Sequence, residues 1–146
     1  MMQRWFLYAL SAALFWGFNA VLVKLAVDRR YLGLEVSRSN LFIAVGILAT
    51  MLIHDRMSHV PFSGEKIPAY ALSFAIGIIW ALGNIFALSA VRSGGNMSQV
   101  VPLYNTNTLI AVILVTLLFR EIPAGADLYR VMAGAVLITI GAYLVS

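Results

Sequence analysis

Charged residues in this chain lie at the ends of long apolar runs or between them, and this spacing constrains the fold more than any other feature of the sequence. Only 11% of the 146 residues are charged and 62% are hydrophobic, whereas about 25% of the residues of a soluble domain are charged. A chain with so little charge cannot cover a surface that faces water. The runs reach about 20 residues, the length of a membrane-spanning helix and about twice that of a barrel strand. The sequence therefore predicts an all-α integral membrane protein.

Five apolar segments predict five transmembrane helices. Their expected bounds are residues 5–27, 35–53, 67–91, 97–119 and 128–145. At about 1.5 Å per residue, each is long enough for a hydrocarbon core of about 30 Å. We expect the N-terminal run to be a retained helix and not a signal peptide, because its apolar stretch continues to Val27. The chain is thus predicted to form a single five-helix domain over residues 1–146, with its termini on opposite sides of the membrane.

Lys and Arg are evenly divided between the two predicted sides of the membrane. The side that holds the N-terminus carries Arg4, Arg56, Lys66, Arg120 and Arg130, and the other side carries Lys24, Arg29, Arg30, Arg38 and Arg92. Cytoplasmic loops normally carry an excess of these residues. Two interpretations remain open: a few local charges set a single orientation, or the chain inserts in both orientations and pairs with itself antiparallel.

The remaining composition excludes several functional classes. The net charge of +4 does not indicate nucleic-acid binding, because the cations lie where topology determinants belong. The sequence has no cysteine, and His54 and His59 are predicted to lie in a solvated loop and not in a metal site. Nucleophile elbows and glycine-rich phosphate loops are absent from the sequence. We expect no catalytic residue, no metal and no cofactor, and therefore no enzyme.

Polar side chains within the first and third spans are candidates for a functional site, because a polar group in hydrocarbon tends to face another helix or a water-filled cavity. Trp16 and Asn19 are three residues apart and share a face of their helix. Lys24 lies in the last turn, where its ammonium either snorkels to the interface or contacts a substrate or carbonyl. Trp80 and Asn84 share a face of the third helix. Asn84 is expected to form an interhelical hydrogen bond or to line a cavity.

The fourth predicted span carries the densest polar surface. Pro102 falls in its first third and predicts a kink, since proline removes one backbone hydrogen bond. Tyr104, Asn105, Asn107 and Thr108 follow at once and occupy adjacent faces of the helix. Four polar residues after a proline are more than a single contact between helices needs. This surface is therefore predicted to line a cavity.

The last span has a different pattern. Gly134, Ile138 and Gly141 recur at near-heptad spacing and predict a close-packing seam, either within the subunit or against a second copy. All acidic residues lie outside the middle of the predicted spans. Proton coupling through a carboxylate within the membrane is therefore disfavoured.

Two stretches resemble the EamA-type drug/metabolite transporter superfamily. FWGFNAVLVKLA in the first span is similar to the opening pattern of that family. The stretch from Val100 to the end, with Pro102, Glu121 and Gly134 to Gly141, is similar to its closing pattern. The resemblance implies a fold of ten spans in two five-helix halves of opposite orientation. It also implies a substrate cavity between the two halves, lined by the first, third and fourth helices of each. This chain supplies one half, and an inverted second copy would restore the arrangement.

Taken with the polar faces, the resemblance implies a multi-pass transporter subunit of the cell (inner) membrane. It would move a small polar metabolite by alternating access as an antiparallel homodimer. Nucleic acid is not expected as a partner. The expected substrate-binding residues are Trp16, Asn19, Lys24, Trp80, Asn84, Tyr104, Asn105, Asn107 and Thr108. Two alternatives stay open: a flippase for lipid-linked substrates, and a non-transporting membrane subunit of a larger complex.

Overall fold

The computed structural model describes residues 4–58, 67–119 and 126–145, and every regular element within them is an α-helix. The elements are α1 (Arg4–Val27), α2 (Val36–Ser58), α3 (Ile67–Arg92), α4 (Met97–Tyr104), α5 (Asn107–Phe119) and α6 (Ala126–Val145). The all-α membrane architecture predicted from the spacing of charges is thus confirmed. His59 and Glu121 lie outside the described residues.

Four segments are long and apolar enough to cross a bilayer: Leu7–Val27, Val36–Ser58, Ile67–Arg92 and Met97–Phe119. The fifth predicted helix forms as α6, whose fully described apolar stretch, Tyr129–Val145, is shorter. With 20 residues in all, α6 is about 30 Å long, which matches the thickness of the hydrocarbon core.

The second helix is longer than predicted. Its apolar run ends at Ile53, but α2 continues through His54 to Ser58. The last turn of α2 is exposed. In it, the hydroxyl of Ser58 donates a hydrogen bond of 2.8 Å to the carbonyl of His54. The predicted end at residue 53 and the predicted loop around His54 are therefore wrong, because hydropathy marks the end of an apolar run and not the end of a hydrogen-bonded ladder.

The fourth predicted helix is interrupted. Residues 97–119 form α4 and α5, which are separated by Asn105 and Thr106. Pro102 lies inside α4, so its ring nitrogen cannot donate to the carbonyl of Ser98 as an α-helix requires. The prediction of one continuous kinked helix is wrong in this respect, although the disturbance lies within one turn of Pro102.

The chain contains two compact units, residues 1–94 and 95–146. In the first, α1, α2 and α3 contact one another. Its core lies near the ends of α1 and α3, where Val27, Leu88 and Val91 are almost completely buried. Most large apolar side chains elsewhere on these helices are exposed. Such surfaces are suited to face lipid or other helices. The single domain over residues 1–146 stays a prediction.

In the second unit, α6 contacts both α4 and α5. Ala135 and Ala142 are the most buried residues of α6. The predicted seam of Gly134, Ile138 and Gly141 lies beside them and is open, since a Cβ atom added at either glycine would meet nothing within 4 Å. The two glycines of the seam are therefore not closely packed against any part of this unit that the structure describes. A contact with a second copy stays a prediction.

Candidate functional site

The predicted aromatic and amide groups of α1 are exposed. Trp16 is 72% exposed, and Asn19 is exposed on the same face. Asn19 lies eight residues before the end of α1 at Val27, so it is about 12 Å from that end. Its side chain forms no hydrogen bond with the residues that the structure describes. A carboxamide at this depth needs water or another helix as a partner, which makes Asn19 a candidate for a site or an interface.

Asn84 on α3 forms the interhelical hydrogen bond that was one of its two expected roles. Its side-chain amide donates to Oδ1 of Asn40 on α2 over 2.7 Å, and the amide of Asn40 donates to the carbonyl of Val36 over 2.9 Å. Trp80, one turn earlier on α3, is 51% exposed. The hydrogen bond uses one of the two N–H donors of Asn84, so a contact between Asn84 and substrate stays a prediction that rests on its second N–H and its carbonyl oxygen.

Asn40 was missed by the sequence analysis. Asn40 lies one turn from the start of α2, and Asn84 lies about two turns from the end of α3. In an antiparallel pair of helices these positions come to similar depth. The signal was therefore present in the sequence as a second asparagine, directly before the apolar run that begins at Leu41.

A groove of about 590 Å³ lies beside this hydrogen bond, between α2 and α3. It is lined by Val36, Ser37, Asn40, Leu41 and Ile85. None of these residues was predicted to bind substrate. The groove belongs entirely to the first unit.

Lys24 is held at the end of α1 by an ion pair. Its ammonium lies 3.3 Å from Oδ2 of Asp28, and Nη2 of Arg30 donates to the same oxygen over 2.7 Å. Asp28 is buried. The hydrogen bonds from the side chain and backbone of Arg30, together with Lys24, hold the pKa of the Asp28 carboxyl well below its usual range. A substrate contact at Lys24 stays a prediction, and any anion there competes with Asp28.

Arg92 ties the end of α3 to the turn between α1 and α2. Its Nη1 donates to the carbonyl of Val27 over 3.3 Å and also to the carbonyl of Gly33. Its Nη2 forms an ion pair with Glu35. Gly33 has a φ of 62°, a left-handed conformation that glycine adopts without steric cost. This clamp could not be predicted from the sequence, because Arg92 and Glu35 are distant in sequence.

In the second unit, the backbone changes its hydrogen bonding between α4 and α5. The N–H of Thr106 donates to Leu103 over 3.2 Å, and that of Thr108 donates to Asn105 over 3.1 Å. Both bonds join residues three apart, as in a 3₁₀ turn, so neither N–H serves the carbonyl four residues back. The Thr106 hydroxyl also donates to Leu103, over 2.7 Å. The turn lies eight residues into residues 97–119, at a depth of about 12 Å.

The predicted polar residues are gathered at this turn. Asn105, Asn107 and Thr108 are all exposed, and their side chains form no hydrogen bond with any part of the chain that the structure describes. Tyr104 is partly exposed beside them. A broken helix with free polar side chains at membrane depth is tolerated where protein or a water-filled cavity satisfies it, and transporters use such breaks to bind substrate.

Comparison with known proteins identifies the family of the chain. The model of the EamA-like transporter family matches residues 3–146, so the match extends over both compact units. Comparisons with curated proteins and with solved structures returned no match. The family match confirms the resemblance seen in the first and last spans, and it agrees with the membrane-length helices of the structure. The chain therefore belongs to the EamA-like transporter family and is a multi-pass membrane transporter.

Proposed function

We propose that the chain carries a small polar organic molecule across the cell (inner) membrane by alternating access. The observation that carries this proposal is the turn between α4 and α5, where Asn105, Asn107 and Thr108 present free side chains at membrane depth. A polar group left without a partner in hydrocarbon is costly. Water and substrate in a cavity would supply the missing partners, so the turn is the best candidate for the substrate-binding surface.

The chemistry of these groups favours a substrate without a strong net charge. Carboxamides and a hydroxyl both donate and accept hydrogen bonds and carry no formal charge. Trp16, Trp80 and Tyr104 would add flat contact area for an organic molecule. Lys24 already forms an ion pair with Asp28, which it shares with Arg30. Lys24 would therefore contribute a weak attraction for an anionic group near one mouth of the cavity.

The turn would also supply the motion. Backbone hydrogen bonds between residues three apart join α4 to α5. A change in the angle between the two helices would therefore leave the hydrogen bonds within each helix intact. Hinges of this kind are formed by a few residues at the ends of elements. Alternating access would use this hinge to open the cavity first to one side of the membrane and then to the other.

An antiparallel homodimer would complete the cavity. In this proposal residues 1–146 form a single domain, which would supply one five-helix half of the inverted-repeat arrangement implied by the family. The even division of Lys and Arg between the two sides is compatible with insertion in both orientations. The open seam of Gly134, Ile138 and Gly141 offers a surface that permits close approach of a second helix.

Transport by purified protein in liposomes tests the assigned surface. Thr108→Val and Asn105→Leu should each lower counterflow of the transported compound by about tenfold, the worth of one hydrogen bond to substrate. The compound is first identified from a panel of radiolabelled amino acids, nucleosides and sugars. Thr139→Val is the matched control, because the Thr139 hydroxyl already donates to the carbonyl of Ala135 over 3.0 Å. Wild-type rates in Thr108→Val and Asn105→Leu would show that the site is elsewhere.

The two alternative functions give different results in the same preparation. A flippase would move a fluorescent polyprenyl-phosphate lipid between leaflets and would leave the soluble panel untouched. A non-transporting subunit would transport neither and would purify with a second, different chain.

A further inference from the structure

We propose that the groove between α2 and α3 binds an anionic phospholipid of the bilayer, with an acyl chain in the groove and the headgroup at Arg38. This site goes beyond the transported substrate and lies within the first unit. Of the residues expected to bind substrate, Asn84 adjoins the lining of the groove through its hydrogen bond to Asn40.

The shape and depth of the groove suit an acyl chain. Leu41 and Ile85 supply apolar walls from the two helices. The groove begins at Val36, the first residue of α2, and reaches Ile85, which is seven residues before the end of α3. It therefore extends inward by about 10 Å from the charged end of the unit. An acyl chain in the groove would make van der Waals contacts with these walls that an empty groove lacks.

Arg38 supplies the charge complementarity. It lies three residues before Leu41, so the two side chains are neighbours on the surface of α2. Arg38 is exposed and forms no ion pair with the described residues. In contrast, Lys24, Arg30 and Arg92 are paired with acids. Glu35, the acid nearest to Arg38 in the sequence, is engaged by Arg92. A free guanidinium on the turn next to Leu41, which lines the groove, is suited to a lipid phosphate.

Native mass spectrometry of the full chain tests the proposal. The protein is released from nanodiscs that contain phosphatidylglycerol and phosphatidylcholine in equal amounts. Wild type should retain phosphatidylglycerol preferentially, and Arg38→Gln should lower that preference by about fivefold, the worth of one arginine near an anionic surface. Arg56→Gln is the matched control, because Arg56 is exposed in the last turn of the same helix and should leave the preference unchanged.

Filling the groove tests the acyl chain separately from the headgroup. Leu41→Trp and Ile85→Trp should reduce retention of both lipids, and added phosphatidylglycerol should raise the melting temperature of wild type more than that of either variant. Equal retention of the two lipids by wild type, or equal behaviour of Arg38→Gln and Arg56→Gln, would refute the headgroup site. Undiminished retention in both tryptophan variants would refute the groove.

Other occupants would also overturn the proposal. The natural chain has no cysteine, so Leu41→Cys places a single thiol at the groove. Efficient crosslinking of this variant to itself in liposomes would assign the groove to a second copy. Displacement of phosphatidylglycerol by an equal amount of polyprenyl phosphate would assign it to a lipid-linked substrate.

Discussion

Asp28 is a buried carboxylate at the end of α1, where it receives hydrogen bonds from the backbone and side chain of Arg30 and an ion pair from Lys24. Its pKa is lowered in the folded state. Its contribution to stability is therefore complete above the unfolded-state pKa of about 3.9 and declines as pH falls below that value toward the folded pKa. The chemical shift of the Asp28 carboxyl carbon in micelles should stay constant from pH 8 to about pH 4. A midpoint near 4 or above would contradict the ion pairs.

Arg92 should be important for the stability of the first unit. Its side chain is 15% exposed, and it donates to the carbonyls of Val27 and Gly33. Arg92→Gln should lower the free energy of unfolding by about 2 kcal/mol, because the carbonyls of the buried Val27 and the half-buried Gly33 lose a charged donor. Chemical unfolding in mixed micelles would measure the loss. Arg56→Gln, which changes an exposed arginine, should have no effect, and an equal effect of both variants would show that net charge is responsible.

At the residue scale, the sequence predicted how deep a polar side chain lies in the membrane but not which residue it contacts. It placed Asn84 and Lys24 correctly within or at the end of a span, because composition reports depth. The partners Asn40 and Asp28 depend on which helix faces turn toward each other or on how the chain leaves a helix. Those arrangements are set by packing, which a hydropathy pattern does not specify.

At the scale of elements, the interruption between α4 and α5 should be sensitive to Pro102. Pro102→Ala restores an N–H that can donate to the carbonyl of Ser98, and alanine is favoured over proline by about 3 kcal/mol inside a helix. We expect higher thermal stability together with transport that is at least about tenfold slower, since a straighter helix would resist the change of angle. Hydrogen exchange at Thr106 and counterflow in liposomes would measure the two effects.

Unchanged transport in Pro102→Ala would show that the turn does not act as a hinge. The sequence predicted the position of this disturbance to within one turn, because proline has a local and known effect on the backbone. It did not predict that bonds between residues three apart would separate two helices, since that outcome also depends on the Thr106 hydroxyl, which donates to Leu103. The end of α2 was missed for a related reason: polar residues extend a helix that hydropathy had already ended.

At the scale of the whole molecule, dual orientation is the most discriminating prediction. Fusions of the C-terminus to a reporter active only outside the cytoplasm and to one fluorescent only inside should both give signal. The reason is that neither side of the membrane holds an excess of Lys and Arg. Matched fusions to a transporter of known single orientation provide the control. Signal from one side alone would refute the antiparallel homodimer of this chain.

The Arg92 clamp would make one end of the first unit a pivot if its helices move. The end of α1, the turn that follows it and the start of α2 are all joined there to the end of α3. When a rigid helix rotates about one end, the displacement of its other end grows with the length of the helix. For α2, with 23 residues and a length of about 35 Å, a tilt of about 10° about this pivot displaces the far end by about 6 Å. The distance is comparable to one helical turn, so under the proposed alternating access a modest rocking of intact helices would be enough to open or close a passage for a small molecule.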